Sequence, residues 1–212
     1  MKGLLPKAVA LTFSLVLLAT FAVPAQAQFE EEDTLPRFDA GVFLDLSFRG
    51  SRGEAGTAKI GFTNSPSGGL RVDYRLTGTL TIGIFGSYSR PKEKWTLLSG
   101  EPIIIQSHSN IYQLAGELLL RIKPRIPGYF ILGGGAQYVD PPDDDTSLIG
   151  DAGSFTEPFG IAGAGYEFAS TRRRAFRINF RFYLINPSSQ GNYQPKSISV
   201  DFVVGAAFIL RF

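Results

Sequence analysis

Residues 197–212 alternate without interruption: Ile198, Val200, Phe202, Val204, Ala206, Phe208, Leu210 and Phe212 share one parity, and Ser197, Ser199, Asp201, Gly205 and Arg211 the other. A period of two over so long a run demands a β-strand with one apolar face and one face that accepts charge. Alternating or Gly-rich apolar segments recur at 37–49, 69–77, 79–89, 110–122, 128–139, 159–168 and 175–185. No stretch of 28–212 approaches the roughly 20 apolar residues of a membrane-spanning helix, so any insertion into a bilayer must use strands. The expected fold is all-β.

The segments between these runs alternate in length. Thr77–Thr79, 123–127 and 170–174 are short, whereas 50–68, 90–109, 140–158 and 186–196 are long and rich in Gly, Pro, Ser, Asn and Asp. Eight strands joined alternately by tight turns and long loops predict an antiparallel up-and-down barrel. Neither a second domain nor a repeat beyond the hairpin is visible.

On the apolar parity lie Phe38, Val42, Leu44, Leu46, Leu70, Val72, Ile82, Ile84, Leu114, Leu118, Phe176 and Leu184. The other parity collects six acids (Asp39, Asp45, Asp73, Glu117, Glu167, Asp201) and seven arginines (Arg49, Arg71, Arg75, Arg121, Arg177, Arg181, Arg211), interleaved with glycines. Alternation alone does not say which face is inside, because a soluble barrel buries the apolar side and wets the charged one. The loop asymmetry and the concentration of glycine beside the charges favour the reverse. In a membrane, each arginine facing lipid near midplane costs roughly 2–4 kcal/mol, so seven would cost up to roughly 14–28 kcal/mol, more than a typical net stability of about 5–15 kcal/mol. The charges are therefore expected to fill the lumen of a transmembrane β-barrel. An eight-stranded lumen is only wide enough for side chains, which explains the glycines beside long arginines.

The N-terminus carries its own instruction. Lys2 and Lys7, the apolar run 8–23 and the small-x-small element Ala25-Gln26-Ala27 read as a cleavable secretory signal spanning 1–27, with cleavage specified by Ala25 and Ala27. Residues 28–36 then form a short periplasmic segment ahead of the barrel domain, 37–212. Loss of Lys2 and Lys7 takes the basic count from 21 to 19, equal to the 19 acids. A neutral chain lacks the electrostatic footprint of a nucleic-acid binder. Without cysteine there is no disulfide framework and no lipid-bearing Cys at the cleavage site.

Segments such as Leu70-Arg71-Val72-Asp73-Tyr74-Arg75-Leu76-Thr77, Gly163-Ala164-Gly165-Tyr166-Glu167-Phe168 and Phe208-Ile209-Leu210-Arg211-Phe212 resemble the small eight-stranded outer-membrane β-barrel family, typified by the OmpA transmembrane domain and OmpX and often labelled porin family. The resemblance implies a bacterial outer-membrane location, contact with outer-membrane lipid and lipopolysaccharide, and insertion by the barrel-assembly machinery. That machinery would read Phe208, Leu210 and the terminal Phe212. No phosphate loop, metal cluster or nucleophile elbow appears in the sequence, so the chain is expected to be a monomer without cofactor, metal or catalytic residue, acting structurally or through surface loops; a narrow channel for ions or very small solutes is the alternative.

Chemistry is sparse. The single histidine, His108, lies in Gln106-Ser107-His108-Ser109-Asn110, which resembles the His-x-Ser-Asn element of lipid A deacylases but is one residue short. Adjacent residues on a strand point to opposite faces, so neither Ser107 nor Ser109 is well placed for His108, and Glu117 lies roughly 26 Å from Ser109 along the strand. The hydrolase is thus the third reading. Asp140, Asp143–Asp145 and Asp151 lack the alternating ligands and Gly of a calcium loop, so solvated acids are favoured. Lys123, Arg125 and Arg172–Arg174 fall in predicted periplasmic turns, near anionic headgroups. Arg90, Lys92 and Lys94 fall in the second long connection, within reach of lipopolysaccharide phosphates. Trp95 and Tyr112 are expected in the outer aromatic girdle, and Tyr129, Phe168 and Phe212 in the inner one.

Overall fold

The computed structural model describes residues 38–55, 58–97, 102–123, 127–141, 153–171, 173–187, 194–195 and 197–212. The signal segment with Ala25 and Ala27, the segment 28–36, and Asp143–Asp145 and Asp151 lie outside these residues. In chain order the strands are β1 (Phe38–Phe48), β2 (Ser51–Ala55), β3 (Ala58–Phe62), β4 (Ser65–Arg75), β5 (Leu80–Ser89), β6 (Lys92–Leu97), β7 (Pro102–His108), β8 (Asn110–Arg121), β9 (Gly128–Asp140), β10 (Phe155–Thr171), β11 (Arg174–Ile185), β12 (Gln194–Pro195) and β13 (Ser199–Arg211).

Eight of them close an antiparallel barrel in the order β1-β13-β11-β10-β9-β8-β5-β4. Closure leaves no unpaired barrel edge. Crossing the ladders from Phe38 through Tyr74, Ile82, Leu118, Leu132, Ala162, Phe182 and Phe202 returns to β1 at Phe48, a stagger of ten residues. With strands about 4.8 Å apart and a rise of about 3.3 Å per residue, that stagger tilts the strands by roughly 40°. β1 then spans roughly 25 Å along the barrel axis.

The β4–β5 turn is closed by a side chain: Thr77 Oγ1 accepts from the backbone N–H of Thr79 at 3.2 Å and of Leu80 at 3.0 Å. A hydroxyl that caps its own turn in this way allows so short a connection.

The long connections are where the structure departs from expectation. Segments 50–68, 90–109 and 186–196 are not plain loops, since β2, β3, β6, β7 and β12 lie within them and join as a second sheet, in the order β12-β2-β3-β6-β7. β4 starts at Ser65 rather than 69 and β10 at Phe155 rather than 159, so the barrel strands also run further toward this end. The physical reason is apolar burial within the Gly-containing connection: Ile60 and Phe62 are buried while Lys59 is exposed. Ile60 and Phe62 form a cluster with Ile111, Val139 and Phe155 of the barrel. That apolar contact seats the second sheet on the upper mouth, the end bearing the long connections.

Candidate functional site

The candidate site is the lumen. Gly83 and Gly205 show how tightly it is filled: a Cβ at Gly83 would lie 2.3 Å from Asp73 Oδ1, and one at Gly205 1.7 Å from Asp45 Oδ1. Only glycine leaves room there for the opposing carboxylates.

Arg177 on β11 is the hub of the lower half. Its Nε meets Glu167 Oε2 at 2.7 Å, its Nη2 meets Asp39 Oδ2 at 2.9 Å, and its Nη1 contacts Asp73. The planar fork thus serves three carboxylates from three strands, a task for which guanidinium is shaped and ammonium is not. Glu167 also takes Arg121 at 3.0 Å and Arg211 at 2.5 Å, and Asp39 takes Arg75 at 3.5 Å. From Asp73 the chain continues upward through Arg71 (2.8 Å), Glu117 (3.5 Å to Arg71), Arg181 (2.8 Å to Glu117) and Asp45 (3.4 Å to Arg181). Arg181 also lies 5.5 Å from the centroid of Phe85, within a layer that holds Phe43, Phe159 and Tyr183.

A second group occupies the upper lumen. Asp201 pairs with Arg52 at 2.8 Å and Arg49 at 3.6 Å, and Arg52 Nε lies 4.0 Å from Glu157. Glu157 accepts from Gln137 Nε2 at 2.6 Å, Gln137 from Gln113 at 3.2 Å, and Gln113 from Ser87 at 2.8 Å.

All thirteen charged residues read from the sequence lie on the lumen face, yet they are not paired as neighbours along the chain. Glu117 meets Arg181 and Arg71, while Arg121, four residues on, meets Glu167. Arg52, Glu157, Gln113, Gln137 and Asn179 were not singled out by the sequence, although the odd parity of Glu157, Gln113, Gln137 and Asn179 was a usable signal. Tyr129 corrects the expected inner girdle: it is buried, and its hydroxyl donates to Asn179 inside the lumen. Phe168 and Phe212 are exposed, as are Phe208 and Leu210. The Phe212 N–H donates to Phe38 O at 2.8 Å, extending the closing ladder.

Large apolar side chains stand exposed on the outer face of the barrel strands, with Leu44 at 73% and Leu70 at 67% exposure among the most open positions. His108 is half-buried and Ser109 wholly buried, with Ser109 in the break between β7 and β8, and Glu117 belongs to the lumen network. No base–nucleophile pair is assembled from His108 and Ser109. Asp140 accepts from Ser154 Oγ at 2.7 Å, and no group of metal-ligating side chains occurs among the described residues.

No protein-family model matches the chain, and no curated protein matches it. Among solved structures, Neisserial surface protein A is 12% identical with a TM-score of 0.49, the match covering 82% of this chain and 97% of that one. OprG from Pseudomonas aeruginosa is 15% identical with a TM-score of 0.46, covering 84% and 96%. Ail of Yersinia pestis is 14% identical with a TM-score of 0.41, covering 83% and 99%. The chain has the fold of a small eight-stranded barrel. That assignment rests on the closed strand order and register.

Proposed function

We propose that this chain is a non-enzymatic outer-membrane β-barrel with a closed lumen, serving a structural or surface-interaction role through the sheet above its upper, extracellular rim. The observation that carries the reading is the inversion of the usual arrangement: large aliphatic and aromatic side chains cover the outside while paired charges fill the inside. Water gives no reason to expose such a belt, whereas a hydrocarbon band about 25 Å tall requires one. Leu44 sits near the middle of β1 on that belt.

Leu44→Arg tests this directly. At mid-bilayer depth it is expected to destabilise the barrel by about 2–4 kcal/mol, read as a lower urea midpoint in lipid vesicles. In a water-soluble barrel the same exposed substitution falls within about 0.5 kcal/mol of neutral. An unchanged midpoint together with recovery of the wild-type protein in a soluble fraction would overturn the outer-membrane reading.

The non-enzymatic assignment has a separate check. Lipid A from cells overproducing the protein is expected to be unchanged by mass spectrometry. Loss of an acyl chain that disappears in His108→Ala would replace this reading with the hydrolase.

A further inference from the structure

The lower mouth of the lumen, the end bearing the short turns, holds more hydrogen-bond donors than acceptors. Arg75 closes β4, Arg121 closes β8 and Arg211 closes β13, and all three reach lumen carboxylates: Asp39 for Arg75, Glu167 for Arg121 and Arg211. Both carboxylates are already gripped from the inner side by Arg177. Three guanidiniums bring about fifteen N–H donors, against about eight lone-pair sites on two carboxylates that Arg177 also uses. The deficit shows at single atoms. Arg75 and Arg211 are only 8% and 6% exposed, and the Nε of each is buried with no hydrogen-bond acceptor among the described residues. A buried guanidinium N–H without an acceptor costs free energy, and an added oxyanion would remove that cost.

Charge runs the same way. In the lower half Arg71, Arg75, Arg121, Arg177 and Arg211 share Asp39, Asp73 and Glu167, a surplus of two cations. The terminal carboxylate of Phe212 and the exposed ammonium of Lys123, both at this end, offset one another. The chain itself supplies acids here. It enters β1 at Phe38, which pairs with Tyr74 and exchanges backbone hydrogen bonds with Phe212, and so enters at the lower mouth. Glu30, Glu31, Glu32 and Asp33 stand five to eight residues before Phe38, and 28–37 holds these four acids against the single base Arg37. Five to eight residues span at most roughly 17–29 Å. Eight strands about 4.8 Å apart and tilted by roughly 40° enclose a mouth roughly 16 Å across, so each of the four acids can reach each of the three arginines. The other acidic run, Asp143-Asp144-Asp145, follows Asp140 at the upper end of β9.

We infer that Arg75, Arg121 and Arg211 form an oxyanion site across the lower mouth, and that its occupant is the chain's own acidic run Glu30–Asp33, whose carboxylates close the barrel from below. The inference goes beyond the proposed function and needs only the barrel and its lower mouth. The incoming carboxylates take the N–H donors that Asp39 and Glu167 leave over, and the planar fork of guanidinium suits them better than an ammonium would. This closure lies nearer to solvent than the ion pairs of the inner lumen, so salt weakens it first.

The test uses the full mature protein in phosphatidylcholine nanodiscs, which leave both mouths open to solvent, at low ionic strength. Its probe is a fluorescently labelled peptide, Phe-Glu-Glu-Glu-Asp, the sequence of residues 29–33. The variant E30Q/E31Q/E32Q/D33N removes the competing charges without altering a lumen side chain. It is expected to bind the peptide at least about tenfold more tightly than wild type, whose own run faces the site at an effective concentration on the order of millimolar. Adding R75Q to that variant should abolish the tight binding, as should raised salt. D143N/D144N/D145N, neutralised beyond the upper end of β9, should bind like wild type. Equal binding by wild type and E30Q/E31Q/E32Q/D33N, or binding by neither, would overturn the inference. Inorganic phosphate that displaces the peptide, yet binds wild type as tightly as the neutralised variant, would assign the site to free anions and overturn the tethered occupant. Asp39 keeps Arg177 when Arg75 is replaced, and native heat-modifiable gel mobility of the R75Q protein shows that a binding loss is not a folding loss. If R75Q fails that check, the comparison of wild type with E30Q/E31Q/E32Q/D33N decides alone.

Discussion

Arg177→Ala is expected to lower the unfolding free energy of the barrel by about 3–5 kcal/mol, the usual cost of removing one partner from a buried ion pair. The side chain is fully buried and bridges Asp39, Asp73 and Glu167, so its loss leaves three carboxylates in the lumen with weaker compensation. Each keeps another partner: Arg75 for Asp39, Arg71 for Asp73, and Arg121 with Arg211 for Glu167. Those remaining pairs should keep the loss from multiplying threefold. Arg177→Lys separates charge from shape. It retains the cation but presents three rotatable donors at one point rather than a fork, so an intermediate loss is expected. The measurement is the urea midpoint of refolded protein in vesicles, read by gel mobility. A midpoint for Arg177→Ala equal to wild type would mean that the lumen charges are solvated rather than mutually paired.

Much of this architecture is written in parity. Asp39, Asp73, Glu117, Arg177 and Arg181 fall on one face because β-side chains alternate, and the expected cost of seven arginines were that face turned to lipid is the sequence argument for pointing it inward, where the structure has it. Pairing is a different kind of information. Glu117 finds Arg181 across the barrel because the strands close with a stagger of ten residues, and that stagger belongs to the ladder rather than to any single strand. Arg52 escaped for a local reason: the β2–β3 ladder shifts register between Ser51 and Gly53, and this irregularity turns an even-numbered arginine toward Asp201. Glu157 was hidden by composition, since the Pro- and Asp-rich connection masked the first residues of β10, though Glu157 shares its parity with Phe159 and Ile161. The second sheet was hidden in the same way. Five-residue strands among Gly and Pro carry little periodic signal, and their stability comes from Ile60 and Phe62 meeting the barrel mouth, a contact visible only in three dimensions.

Glu117→Ala is the sharper probe of whether the lumen is a plug. Glu117 meets Arg181 Nε at 2.8 Å and Arg71 at 3.5 Å. Arg71 retains Asp73 at 2.8 Å, whereas among the described residues Arg181 retains Asp45 at 3.4 Å and the face of Phe85. The stranded group is therefore Arg181, and a destabilisation of about 3–5 kcal/mol is expected from leaving that charge poorly paired. Glu117→Gln keeps the shape and an acceptor oxygen but removes the charge, so it should fall between wild type and alanine. Conductance supplies the independent readout. If paired charges close the lumen, wild-type protein in a planar bilayer is silent, while Glu117→Ala removes a crossing at the aromatic layer and admits brief, cation-rejecting openings lined by the Arg181 guanidinium, left with Asp45 alone as its carboxylate partner among the described residues. A steady, large, weakly selective wild-type conductance, with Glu117→Ala unfolding at the same urea concentration, would replace the plugged barrel with a channel.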